Sequence, residues 1–201
     1  MSASANLNDA NLWNARYQQI LDQPRPSQVV LQNLHLIPQQ GSALDLASGL
    51  GGNALLLASH GLHTRAWDLS DVAIQRLNLQ ASSLDLPLLA EVRDVIASPP
   101  EPNSFDCIVV SRFLHRTLAQ PIIDALKPGA LLLYQTFTVE KKPSVGPSRH
   151  DFLLGVNELL RMFAGLRLLV YREEGRQGNG DLGWRNEAMF VGRKNRLEEE
   201  Y

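Results

Sequence analysis

Leu44-Asp-Leu-Ala-Ser-Gly-Leu-Gly-Gly-Asn53 is the stretch that decides the fold. It continues an apolar run that starts at Ser42 and leads into a helical pattern from about Asn53 to His60, with Gly61 as its C-cap. Gly49 and Gly51 let the backbone approach a ligand that a Cβ would block. A glycine turn between a strand and a helix marks the binding crevice of an open α/β sheet. Taken alone the turn is ambiguous, because Gly49-Leu-Gly-Gly-Asn-Ala54 also fits the G-x-G-x-x-A form of a dinucleotide site.

Three carboxylates bear on that ambiguity. Asp45 lies inside the first strand, where a dinucleotide fold normally has apolar residues, and an acidic residue there can hold the turn and water near a cationic amino-acid ligand. Asp68 ends the second strand, where a carboxylate can take both ribose hydroxyls; both readings of the turn accommodate it. Asp94 follows the third strand, from which a carboxylate can accept an adenine amino group. Each has a plainer role open to it. Asp45 can cap a turn, Asp94 can be a solvated loop residue, and Asp68 can serve the next helix, although Ser70 already fills the N-cap position.

Outward from this stretch, short β-branched or Leu-rich runs alternate with helical patterns, as in α/β proteins. The spacing predicts helices over Ala10–Asp22 and Ser27–Leu36, ended by Pro24, Pro26 and Pro38. Strands are expected at Ser42–Ala47, His63–Asp68, Leu88–Arg93, Phe105–Ser111 and Ala130–Phe137. Helices are expected from Ser70 to about Gln80, over Leu118–Leu126, and over Asn157–Phe163. Thr138–Asp151 reads as a long loop. Two last strands, Arg167–Arg172 and Glu187–Gly192, flank a Gly-rich loop and can pair antiparallel, whereas the earlier strands need helical crossovers and are parallel. The chain of 201 residues is expected to form one domain: N-terminal helices over 1–40, an α/β core over 41–194 and a charged, frayed tail over 195–201.

Composition narrows the function. A formal net charge of −2 gives no electrostatic reason to expect nucleic acid as a bulk partner. The single cysteine, Cys107, forms no intrachain disulfide and sits in an apolar run, as a small buried residue would. No basic, apolar leader and no run long enough to span a bilayer is visible, so a cytoplasmic enzyme is expected. No clustered His/Cys set suggests a metal. Oligomeric state is not legible.

The run from Ala43 to Asn78 resembles the first motifs of class I S-adenosylmethionine methyltransferases. The usual glycine at the head of that pattern is Ala47 here. Trp13-Asn-Ala-Arg-Tyr17 is similar to the N-terminal helix motif of small-molecule methyltransferases of the tellurite-resistance and thiopurine type. Leu126-Lys-Pro-Gly-Ala130 resembles the turn entering strand five across the class. Gly146 to Leu154, with Asn157-Glu-Leu-Leu160, looks like a loop and helix of the tellurite-resistance branch. The resemblance implies a Rossmann-like seven-stranded sheet of order 3-2-1-4-5-7-6 with strand 7 antiparallel and helices on both faces. It implies S-adenosylmethionine as cofactor and a small-molecule methyl acceptor: a thiol, a chalcogen oxyanion or another anionic nucleophile. Ala47, Ser48, Gly49 and Gly51 would line the methionine part, Asp68 would bind ribose with Leu69 against adenine, and Asp94 and Val95 would meet the adenine edge. Ser111 would lie beside the sulfonium, with Arg112 towards the acceptor. Tyr17, Asp45 and Asn53 complete the candidate cofactor set.

On the acceptor side, Arg112, His115, Arg149 and His150 are expected to converge above Ser111, with Phe113, Phe152 and Leu153 excluding water. His115 can act as a base or hold substrate, or can equally be satisfied by a backbone carbonyl. Arg149 and His150 can form a basic lid or simply a solvated loop. The branch carries a His and Arg before its last strand; Glu173-Glu-Gly-Arg176 stands there without a His, which weakens any case for tellurite or selenite chemistry. Two other functions compete. An NAD-dependent oxidoreductase rests only on the glycine spacing and lacks a Tyr-x-x-x-Lys pair. A non-catalytic binding module would have kept the cofactor fold but acted through a partner.

Overall fold

The computed structural model describes residues 3–196. Seven strands, β1 (Ser42–Leu46), β2 (His63–Asp68), β3 (Leu88–Val92), β4 (Phe105–Ser111), β5 (Leu126–Phe137), β6 (Arg167–Arg172) and β7 (Glu187–Arg193), form one sheet of order β3-β2-β1-β4-β5-β7-β6. The first five pair parallel, and β7 runs antiparallel to both β5 and β6. This is the expected order, with the expected antiparallel β7.

The alternation of side chains along the central strands builds a core on each face. On one face Leu44, Ile108, Val110, Leu132, Tyr134 and Phe190 pack against Ile122 of α5 (Ala119–Ala125) and against Leu159 of α6 (Glu158–Met162), with Phe163 just beyond it. On the other, Ala43, Cys107, Val109, Leu133 and Val191 meet Val29 and Val30 of α2 (Gln28–Gln32) and Leu57 of α3 (Gly52–Ser59). A smaller cluster seats α4 (Asp71–Ser83) on β2 and β3 through Ile74 and Leu77. Cys107 is fully buried and its thiol is pushed up to about 12 by burial, consistent with a packing role.

Three boundaries differ from expectation for local reasons. The first helix, α1, spans Ala3–Gln19, ending earlier than Asp22, and Arg76 of α4 takes up the carbonyls of Tyr17 and Ile20 at 2.7 and 2.9 Å. The second helix breaks after Gln32 into a 3₁₀ turn over Leu34–Leu36. There Asn33 donates its side-chain amide to the Val29 carbonyl at 2.8 Å, competing with helix continuation. Lys127-Pro-Gly129 lies within β5 instead of before it; the β4–β5 register shifts between Phe105 and Cys107 to absorb it. From residue 197 onward the expected charged tail lies outside the described residues.

Candidate functional site

The glycine turn sits at the carboxyl ends of the parallel strands, and its shape is set by hydrogen bonds to β2. Ser48 donates its N–H to the Trp67 carbonyl at 2.9 Å, and Gly49 donates to the Asp68 carboxylate at 2.7 Å. Ala47 (φ 57°), Gly49 (φ 54°) and Gly51 (φ 77°) all take left-handed backbone. The two glycines face different neighbours. A Cβ on Gly49 would stand 2.8 Å from the Tyr17 hydroxyl, whereas one on Gly51 would strike the Leu77 side chain at 2.3 Å. Gly49 therefore keeps open the space above the turn, and Gly51 lets α4 pack close.

Tyr17 covers this space from α1. Trp13 stacks on its ring at 5.7 Å between centroids, and Asn14 meets the N-cap residue Ser70, whose Oγ in turn accepts the Ala73 N–H at 3.1 Å. Burial, reinforced by the Asp68 and Asp45 charges, pushes the Tyr17 phenol well above its ordinary range, so it stays protonated and can donate.

The three carboxylates differ in environment. Asp45 is 1% exposed and accepts the Ala54 N–H at 3.0 Å. Burial raises it from the carboxylate range to about 7, although hydrogen bonds from Asn53 and Ala54 pull it back. Asp68 is also raised by burial, against the N–H groups of Ser70, Gly49 and Leu69. It thus serves both the turn and the start of α4, and an ionised carboxylate bonded in this way keeps acceptor capacity for further donors. Asp94 Oδ1 accepts the N–H groups of Ile96 and Ala97 at 2.9 and 3.2 Å, a turn-capping role. Val95 belongs to the core and Leu69 is half-buried beside Asp68. The Ser48 hydroxyl is buried without a hydrogen-bond partner among the described residues.

Asn53 links the glycine turn to a second cavity. Its carbonyl oxygen accepts the N–H and hydroxyl of Ser27 at 2.8 and 2.9 Å. Its amide reaches the Ser111 hydroxyl at 3.0 Å and, more loosely, Asp45 at 3.4 Å. Ser111, Gln135 and Glu187 lie at the floor of a cleft of about 630 Å³. One wall comes from Arg25–Gln28, the other from Lys142 and the loop from Gly180 to Arg185. Arg112, in left-handed backbone at φ 53°, turns its guanidinium onto the Glu187 carboxylate at 3.0 Å. The other Glu187 oxygen accepts from Gln135, whose own oxygen accepts the Val29 N–H at 2.7 Å.

The expected convergence of four basic residues is met at one of them. Arg112 lines the cleft; His115, Arg149 and His150 are not among its lining residues. His115 hydrogen-bonds Thr117 through Nδ1 at 2.8 Å. Arg149 pairs with Asp151 at 3.1 Å and lies over the Phe152 ring, and His150 is exposed. Phe152 is itself exposed, while Leu153 is buried. The cause is Arg116, which grips Glu158 at 2.6 Å and the carbonyls of Asp151 and Leu153 at 2.9 and 3.0 Å, fixing that segment away from the cleft. The cleft cations missed from sequence are Arg25, Lys142 and Arg185. Their contribution depends on loop paths that periodicity does not encode. Glu187, an acid at the head of the apolar run Ala188–Val191, is the one further cleft residue with a signal in the sequence.

Comparison with known proteins completes this picture. Residues 43–129 match the family model described as a methyltransferase domain. The match begins in β1 and ends at Gly129, so it takes in the glycine turn, Asp45 within β1, Asp68 at the end of β2, Asp94 after β3, and Ser111. No curated protein matches the chain in sequence. Among solved structures, one described as the conversion of a disulfide bond into a thioacetal group during echinomycin biosynthesis superposes with a TM-score of 0.70 at 20% identity, covering 95% of this chain and 94% of its own. TehB from Haemophilus influenzae gives 0.67 at 21% identity, covering 92% and 67%. Phosphoethanolamine N-methyltransferase 2 of Haemonchus contortus, in complex with S-adenosyl-L-methionine, gives 0.64 at 18% identity, covering 83% and 53%. The seven-stranded sheet, with β7 and β6 added to the five parallel strands, is thus one fold shared with these proteins. Among the described residues no group of three or more His, Cys, Asp or Glu could hold a metal ion, and no helix is long and apolar enough to cross a membrane.

Proposed function

We propose that this protein transfers a methyl group from S-adenosylmethionine to a small molecule bound above Ser111. The observation that carries the reading is the Asp45–Asn53–Ser111 chain of contacts, which joins a nucleoside-type cradle to an acceptor-sized cleft. The cradle's residues fit the cofactor on three counts: a glycine whose missing Cβ leaves room under Tyr17, a buried Ser48 hydroxyl with no hydrogen-bond partner among the described residues, and Asp68 at the end of β2. The cofactor supplies a methyl carbon on a sulfonium. Held in this cradle, it would offer that methyl carbon to an acceptor's lone pair at Ser111.

The protein's own part is alignment and exclusion of water. Asp68 would orient the ribose, with Leu69, Asp94 and Val95 at the adenine side. Asp45 would offer a carboxylate to the ammonium end, with Tyr17 closing α1 over it. Ser111 and Arg112 stand where the cradle opens into the cleft. A soft anionic acceptor such as a thiolate needs little help from a base at neutral pH. The fold shared with TehB and the cleft's size support a small acceptor, and a chalcogen oxyanion stays within this class. A cytoplasmic location belongs to the same reading, since one buried cysteine needs no oxidising compartment.

Calorimetry with S-adenosylmethionine, S-adenosylhomocysteine and NAD tests the donor. Binding of the two sulfur ligands and not NAD is expected; the reverse overturns the proposal. A screen of thiols, halides, chalcogen oxyanions and phenols for S-adenosylhomocysteine production then tests the transfer.

A further inference from the structure

The cleft beside Ser111 is charged unevenly. Four cations line it, Arg25, Arg112, Lys142 and Arg185, against two carboxylates, Asp181 and Glu187. Arg112 is neutralised by Glu187 at 3.0 Å. Lys142 meets Asp181 at 3.6 Å, with both side chains more than half exposed, a contact that an incoming anion can displace at little cost. Arg185 spends its donors on the carbonyls of Leu182, Gly175 and Asn179, at 2.6, 2.9 and 2.8 Å. Those bonds fix its guanidinium, whose charge is shared with the nearby Glu174 carboxylate. Arg25 has no ion-pair partner among the described residues.

The loosely answered charge, on Arg25 and Lys142, is on the walls, and the floor is nearly neutral. Arg25 belongs to the segment entering α2, held by the Ser27–Asn53 bonds; Lys142 and Arg185 belong to the loops facing it. The floor holds Ser111, Gln135 and the Arg112–Glu187 pair. An acceptor whose reacting atom lies over Ser111 therefore presents its remaining atoms to cations on both sides. A neutral acceptor would leave those cations unanswered, and a cationic one would be repelled.

Building on the methyl-transfer reading, we infer that the acceptor carries an ionised acid group, separate from its nucleophile, held between Arg25 and Lys142 at the mouth of the cleft. Arg185 shapes the loop that completes the wall and adds to the field. This differs from an acceptor whose nucleophile is itself the anion, because here the charge is a handle that sets orientation and the reacting atom can be neutral.

The test uses the full chain saturated with S-adenosylhomocysteine and a matched pair of probes, 4-hydroxybenzoate and 4-hydroxybenzamide, which differ in charge and hardly in shape. Calorimetry is expected to show the benzoate binding at least roughly tenfold more tightly. In the Arg25→Ala/Lys142→Ala double variant that preference is expected to fall to about twofold or less, with affinity for S-adenosylhomocysteine unchanged. Equal affinity for the two probes overturns the inference. So does a preference that survives in the double variant, or a benzoate that does not bind. Failure of S-adenosylhomocysteine to bind the wild type overturns the donor reading instead, and the two failures are read in separate titrations.

Discussion

Gly49 donates its backbone N–H to the Asp68 carboxylate at 2.7 Å, so the turn after β1 is held by the residue at the end of β2. One side chain thus shapes the cradle and offers its remaining acceptor capacity to a ligand. Asp68→Ala is expected to weaken S-adenosylmethionine binding by about 1.5–3 kcal/mol for each charged hydrogen bond lost. It also strands the Gly49 and Ser70 N–H groups, so the melting temperature falls as well. Calorimetry and thermal melting separate the two effects. An unaltered dissociation constant beside a lowered melting temperature would mean that Asp68 serves the turn alone.

Asp45 makes stability and ligand binding respond to pH in opposite senses. Its carboxyl holds a proton to about 7 in the folded chain, whereas in the unfolded chain it ionises near 3.8. Between those values the native state binds more protons, so stability of the ligand-free protein falls as pH rises through that window and levels off above it. A cationic ligand nearby favours the ionised form. Affinity for S-adenosylmethionine is therefore expected to strengthen as pH rises towards about 7, and Asp45→Asn to flatten both profiles. Melting and titration series across the window are the measurement; a wild-type affinity indifferent to pH would contradict it.

Ala47 occupies left-handed backbone at φ 57°, the position where related turns carry glycine. For a residue with a Cβ this conformation costs about 1–2 kcal/mol. Replacing it by glycine also raises the entropy of the unfolded chain by about 0.4–1 kcal/mol. Ala47→Gly is expected to be net stabilising by up to about 1.5 kcal/mol, which raises the melting temperature by roughly 3–6 °C at most for a chain of this size. A lowered melting temperature would show that the alanine methyl makes compensating contacts.

Arg76 is the latch of α1. It donates to the Tyr17 and Ile20 carbonyls at 2.7 and 2.9 Å, while Gln80 meets Gln23 at 3.0 Å on the surface. Arg76→Ala is expected to free α1 locally at a cost of about 1–2 kcal/mol, the bonds being partly exposed. Hydrogen exchange should quicken over α1 with the sheet still protected, and S-adenosylmethionine affinity should drop because Tyr17 no longer sits over Gly49. Uniform exchange across the chain would point to global destabilisation.

Most strand positions and the cradle were legible because their causes are local. Alternating apolar residues make a strand such as Phe105–Ser111 readable without its neighbours. Asp45, Gly49 and Asp68 announce a cradle because each occupies the end of a strand or the turn after it, and strand ends meet at one edge of a parallel sheet. The N-cap at Ser70 was readable for the same reason, and its hydroxyl accepts the Ala73 N–H.

The acceptor side was another matter. Arg149 and His150 were plausible rim residues by sequence position, yet Arg116 binds the carbonyls of Asp151 and Leu153 and holds that stretch elsewhere. Arg25, Lys142 and Arg185 reach one cleft from segments far apart in the chain. By itself the sequence determined the sheet, its order through the family resemblance, and the strand-end positions of the carboxylates, because backbone periodicity and strand-end position are short-range properties. Only the tertiary structure decided which cations share the cleft, because loop paths are set by long-range hydrogen bonds whose partners are adjacent in space and not along the chain.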